Sequence, residues 1–186
     1  MMGALRCRLK ALRRGAAAVE FALLAPLYCL LFAACIDFGA ALHTKLQLDG
    51  AVAAGANYAQ VNASAVSAAN GPNLAANIAQ VIVSDKGAPS ANGVITVNNG
   101  PVATLTGGAV SVGGTASGAD ACYCPTGNGS NVVFGPAMTC GLPCAGGATA
   151  GKFVIITASL PFSPTFSSYG LIQNQTITAS AVVQTQ

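Results

Sequence analysis

The stretch RRGAAAVEFALLAPL, Arg13 to Leu27, places one carboxylate, Glu20, at the entrance of a long apolar run. From Phe21 to Ile36 the chain reads FALLAPLYCLLFAACI and holds no charge. With the alanines before it and the GAAL after Asp37, the apolar zone approaches the ~20 residues that a helix needs to cross a bilayer. Leu23, Leu24, Leu27, Leu30, Leu31 and Phe32 leave no polar face. Pro26 removes one backbone hydrogen bond, which a membrane helix tolerates when neighbouring groups take up the freed carbonyl.

Arg6, Arg8, Lys10, Arg13 and Arg14 all precede the run, and only Lys45 lies close behind it. By the positive-inside rule the N-terminus is cytoplasmic and the rest of the chain is exported. Three kinds of N-terminus fit so far. One is a cleaved secretory signal. Another is a lipoprotein signal, since LFAAC, Leu31 to Cys35, resembles a cleavage box ending in an acylated cysteine, with Phe32 where a smaller aliphatic residue is usual. The third is an uncleaved anchor. None accounts for Glu20, because an unpaired carboxylate at depth costs a few kcal/mol unless it snorkels to the interface.

The spacing G-AAAV-EF, Gly15 to Phe21, resembles the processing site of type IV pilins. In those proteins the peptidase cuts after the glycine and leaves glutamate as the fifth mature residue. The longer string RRGAAAVEFALLAPL is similar to the TadE-like pseudopilins of the tight-adherence (Tad, Flp-type) pilus system. Those proteins carry R-x-G-x-x-x-V-E-F-A-L-x-x-P, Pro26 included, and Phe21 stands where the major Flp pilins have tyrosine. Near the C-terminus, FVIITASLPFSPTFSSYG followed by QTITASAVVQTQ is similar to the family's final strand pair with its proline-containing connection. The uncharged Gln184, Thr185 and Gln186 depart from the family's charged ending. Residues from about Ala63 to Gly151 carry no such likeness.

The resemblance implies a minor pilin or pseudopilin whose precursor sits in the inner membrane. A prepilin peptidase would cut between Gly15 and Ala16. Implied partners are that peptidase, other Tad/Flp pilins and pseudopilins, the inner-membrane assembly platform and the lipid bilayer, in a setting of pilus assembly and surface adhesion. It also gives Glu20 a partner, the new ammonium at Ala16 of a neighbouring subunit, whose attraction grows in a low-dielectric bundle. Leaving either charge unpaired is costly, so the pair favours docking in register. The rival is a membrane-anchored binding module processed before Cys35. The domain division expected is a cleaved basic leader over 1–15, a transmembrane and stem helix over 16–62, and an exported head over 63–186.

The remainder of the chain is poor in charge. Of its 186 residues 7% are charged and 53% hydrophobic, much of the latter alanine, and tryptophan is absent. At ~25 cal/mol per Å² of buried apolar surface, such a core is only modestly stabilising, so the head is expected to draw on disulfides or partners. Beyond the leader, Lys45, Lys86 and Lys152 face Glu20, Asp37, Asp49, Asp85 and Asp120, three against five, a net −2. No basic patch with interleaved aromatics exists, and nucleic acid is not an expected partner.

After Asp37, Leu42, Leu46, Val52, Ala53, Ala56 and Val61 approximate a helical stripe, and the alanine-rich run to about Gln60 favours helix. Gly39, Gly50 and Gly55 read as loose periodicity rather than as close helix contacts. Asn70-Gly71-Pro72 breaks the helix, and Leu74 to Val83 reads as a second one with Leu74, Ile78, Val81 and Ile82 on its apolar face. Strands are expected at Val94–Val97, Val102–Leu105, Ala109–Val112, Val132–Phe134, Phe153–Leu160 and Thr176–Val183. In the last, Thr176, Thr178 and Ser180 alternate with Ile177, Ala179 and Ala181. The fold class is therefore α+β: a long N-terminal membrane and stem helix, then a small antiparallel, disulfide-containing, pilin-like head.

Cys7 lies in the leader, and Cys29 and Cys35 read as apolar filler in the span. Cys122 and Cys124 (CYC) and Cys140 and Cys144 (CGLPC) form two clusters whose spacing suits zinc poorly. Export favours two disulfides, with three connectivities open and pairing between clusters preferred. No metal, cofactor or enzymatic role is expected. The lone His43 lacks a second histidine to work with, and Gly107-Gly108 and Gly113-Gly114 lack the lysine of a phosphate loop and read as turns. The sequons at Asn62, Asn128 and Asn174 carry little weight.

Overall fold

A computed structural model describes the backbone of residues 2–127, 131–166 and 175–186, with side chains from residue 18 onward. The sequons at Asn128 and Asn174 fall outside the described residues. The first helix, α1, runs Met2–Val61. The chain divides into two compact units, Met1–Ala41 with Ser163–Asn174, and Leu42–Phe162 with Gln175–Gln186.

The second unit is a five-stranded sheet covered by helices. After α1 come α2 (Gly71–Ser84), β1 (Asn92–Val97), β2 (Pro101–Thr106), β3 (Ala109–Gly114), β4 (Phe153–Phe162) and β5 (Gln175–Gln184). The strand order is β3-β2-β1-β4-β5, every neighbour antiparallel. Gly107 and Gly108, both at positive φ, make the two-residue β2–β3 turn. A positive φ at both positions matches the right-handed twist of the flanking strands, and glycine reaches it without strain. Gly113 and Gly114, by contrast, are not a turn. They end β3, paired with Val102 and Pro101. Pro161 lies in β4 beyond Ser159, the last residue that β1 pairs, where β4 has β5 alone as partner. Proline, lacking a backbone donor, is tolerated there.

Strand alternation sets the core. Register aligns Ile95 with Ile156 and Ala103, Val97 with Val154, and Ala158 with Ala179, and all of these are buried. Thr176, Thr178 and Ser180 face water, while Ile177 and Ala181 are half-buried between them, as the alternation requires. On α2, Leu74, Ala75, Ile78, Ala79 and Ile82 are buried and Val81 half-buried.

The stem face differs from the expected stripe. Leu48, Ala51, Val52, Gly55 and Ala59 are buried, whereas Leu42, Leu46, Ala53 and Val61 are exposed. A Cβ at Gly55 would stand 3.2 Å from Ile78 Cγ2 and 3.3 Å from Ile82 Cγ1. Gly55 is thus a close helix contact, while Gly39 and Gly50 face open space. Val132–Phe134 forms no strand, and Val133 makes only an isolated bridge to Thr126.

The described residues between β3 and β4, 115–127 and 131–152, hold little regular structure and are tied by two disulfides, Cys122–Cys140 and Cys124–Cys144, with Cα separations of 5.1 and 5.7 Å. Both join one cluster to the other. Each bond restrains a loop of about 20 residues, which in the chain-entropy account stabilises by about 3 kcal/mol.

Candidate functional site

The site begins where the sequence carries its densest pattern. Gly15 and Ala16 lie within α1, and their side chains fall outside the described residues. Glu20 is exposed one turn beyond Ala16, with Phe21 beside it at 69% exposure. Among the described residues none pairs with the Glu20 carboxylate. Leu23, Leu24, Leu27, Tyr28, Leu30, Leu31, Phe32 and Ile36 are all exposed as well. A segment of mean hydropathy 2.2 with only 6% of its residues buried is long and apolar enough to cross a membrane. In water so much uncovered apolar surface is unfavourable, so it calls for lipid or other helices around it. The helix continues through Pro26.

Asp37 ends the uncharged run, and the structure gives it a role that the sequence reading did not assign. It is 2% exposed. Its Oδ1 accepts from Thr165 N–H at 2.8 Å, and its Oδ2 accepts from Phe166 N–H at 3.0 Å. A second contact from Phe166 N–H to Oδ1 measures 3.3 Å. Two backbone amides of the β4–β5 connection thus take the place of water around a buried carboxylate, which would otherwise be costly to hide. No local sequence signal could have found this pairing, because the partners lie 128 and 129 residues away.

In the second unit, Lys45 pairs with Asp49 and donates to the Thr178 carbonyl at 2.9 Å. They line a cleft of about 400 Å³ together with Gly93 and residues of β4 and β5 from Thr157 to Ser159 and from Thr178 to Ser180. A second cavity, about 420 Å³ and mostly apolar, lies between the Cys124–Cys144 bond, Pro125, Pro136 and Phe153. His43 is exposed, as are the thiols of Cys29 and Cys35. Among the described residues no three His, Cys, Asp or Glu side chains gather as a metal-binding group would require.

No curated protein and no solved structure matches the chain. The family model described as TadE-like protein matches residues 15–57. The match opens on Gly15, takes in Glu20, Pro26 and Asp37, and ends within the buried stem face. Its members are pilins associated with Tad pili, a structural rather than an enzymatic family. Residues 15–57, the glycine–glutamate motif with the helix behind it, are thus the part of the chain that is similar to the TadE-like family.

Proposed function

We propose that the chain is a minor pilin or pseudopilin of a Tad/Flp pilus, matured by a prepilin peptidase that cuts between Gly15 and Ala16. The observation that carries this reading is a coincidence on one segment: the family match begins at Gly15, and the helix behind it is apolar and uncovered. The basic leader stays on the cytoplasmic side by charge, the helix crosses the inner membrane, and the head is exported. Two disulfides in the head accord with an oxidising compartment. Cleavage removes five cationic side chains and creates an ammonium at Ala16. At ~4 Å, an ammonium–carboxylate pair gains about 1 kcal/mol in water and about 4 kcal/mol at an effective dielectric of ~20. Glu20 of one subunit therefore favours a neighbour docked with its Ala16 amine in register. With a head of this size the subunit serves assembly, or the adhesive end of the pilus, rather than forming the bulk of the filament.

Coexpression with a prepilin peptidase tests the reading. Mass spectrometry should find a mature chain beginning at Ala16. Gly15→Val should retain the leader, and Cys35→Ser should mature normally. Glu20→Gln should still be cut yet lose incorporation into pili. A mature chain beginning at Cys35, or a native chain that keeps its leader, would sink the proposal.

A further inference from the structure

We propose that the arm Ser163–Phe166 of the β4–β5 connection, pinned by Asp37, rests on the bilayer surface at the exported end of the membrane-spanning part of α1. The inference builds on the reading of α1 as membrane-spanning. At ~1.5 Å per residue, Ala16 to Ile36 rises about 30 Å, the thickness of a hydrocarbon core. Asp37 is the next residue, so its carboxylate falls at the boundary between chains and headgroups. A bare carboxylate there pulls the helix outward, and bare backbone N–H groups resist contact with the hydrocarbon edge. Each satisfies the other: Asp37 accepts from Thr165 N–H at 2.8 Å and from Phe166 N–H at 3.0 Å, and is itself buried. The arm is thereby fixed at the depth of Asp37. It brings Phe166, a half-buried aromatic ring, to that depth, while Pro164, buried within the protein and without a donor to satisfy, backs the arm. Apolar rings on an interfacial segment bury into the headgroup–acyl boundary. The occupant of this surface is therefore lipid, and the arm acts as a collar that limits how deeply the span can sink.

The chain contains no tryptophan, so a single introduced indole reports its own surroundings. The full chain carrying Phe166→Trp is reconstituted into phosphatidylcholine vesicles brominated either near the headgroup or near the acyl-chain ends. Leu30→Trp, well inside the span, is the companion. The indole at 166 should emit blue-shifted and be quenched more by the shallow bromines, and the indole at 30 more by the deep ones. Adding Asp37→Ala should abolish quenching at 166 without changing it at 30, and Asp37→Asn, which keeps one acceptor and the side-chain shape, should preserve part of it. If 30 is quenched and 166 is not, the collar is refuted while the spanning helix stands. If 30 is not quenched, the spanning reading itself fails and takes the collar with it. Undiminished quenching at 166 in Asp37→Ala would refute Asp37 as the tether.

Discussion

Asn98 joins two parts of the head through one amide. It sits at φ 55 in the β1–β2 turn, fully buried. Its Nδ2 donates toward the carbonyls of Gly118, Ala119 and Ala121 at 3.3, 3.2 and 2.6 Å, and its Oδ1 accepts from Phe153 N–H at 3.4 Å. Asparagine tolerates the left-handed backbone better than most residues, and here the same side chain anchors the start of the disulfide-tied segment to the sheet. Asn98→Ala removes these bonds, strands buried carbonyls and strains the backbone. It should destabilise the head by about 2–4 kcal/mol, read from denaturant unfolding of the detergent-solubilised chain by circular dichroism. Asn98→Gly relieves the backbone alone, so it should recover about 1 kcal/mol of that loss. Glu20 and Asn98 mark the two limits of what a sequence can reveal at this scale. Glu20 stands out because its spacing from Gly15 is local. Asn98 does not, because its importance comes from carbonyls about 20 residues away that only the folded chain brings to it.

Among elements, strands were easier to read from sequence than the stem helix. Phe153–Leu160 and Thr176–Val183 alternate strongly, and the folded β4 and β5 extend each by only a residue or two. The stem misleads because two of its leucines, Leu42 and Leu46, are exposed, while its buried face sets Leu48 and Val52 among the small residues Ala51, Gly55 and Ala59. Small residues add little to a hydrophobic pattern yet let α1 approach α2, which a count of apolar positions cannot register. Val132–Phe134 failed the other way: three apolar residues suggest a strand, but the disulfides and short bridges hold that region in irregular backbone. The contact at Gly55 leads to a paired prediction. Gly55→Leu must push apart Ile78 and Ile82, and overpacking of this kind should cost about 1–3 kcal/mol. Gly50→Ala has open space around its new Cβ and replaces a mid-helix glycine, so it should stabilise by roughly 0.5–1 kcal/mol. Thermal unfolding of the two variants side by side checks both signs, and equal shifts would refute the close packing at Gly55.

At the scale of the whole molecule, counting the seven cysteines tests the proposed processing of the chain. Cys122, Cys124, Cys140 and Cys144 are consumed in the two disulfides of the head, and Cys29 and Cys35 are free thiols on α1. Cys7 lies within the proposed leader. Four bonded cysteines taken from seven leave three, so an uncut chain should titrate three thiols in denaturant without reductant. A chain cut after Gly15 loses Cys7 and should titrate two. One cut before Cys35 and acylated on that sulfur loses Cys7 and Cys29 as well, and should titrate none. The three fates of the N-terminus therefore give three different integers from one measurement on protein purified from its native membrane. The proposed maturation predicts two, rising by four after reduction as the head's bonds open. That rise checks the disulfides independently of the leader, because only the head's cysteines contribute to it. A count of six before reduction with no rise after it, the two thiols of α1 plus four in an unbonded head, would refute the disulfides and leave the cleavage intact, whereas three or none before reduction, each rising by four after it, would refute the cleavage.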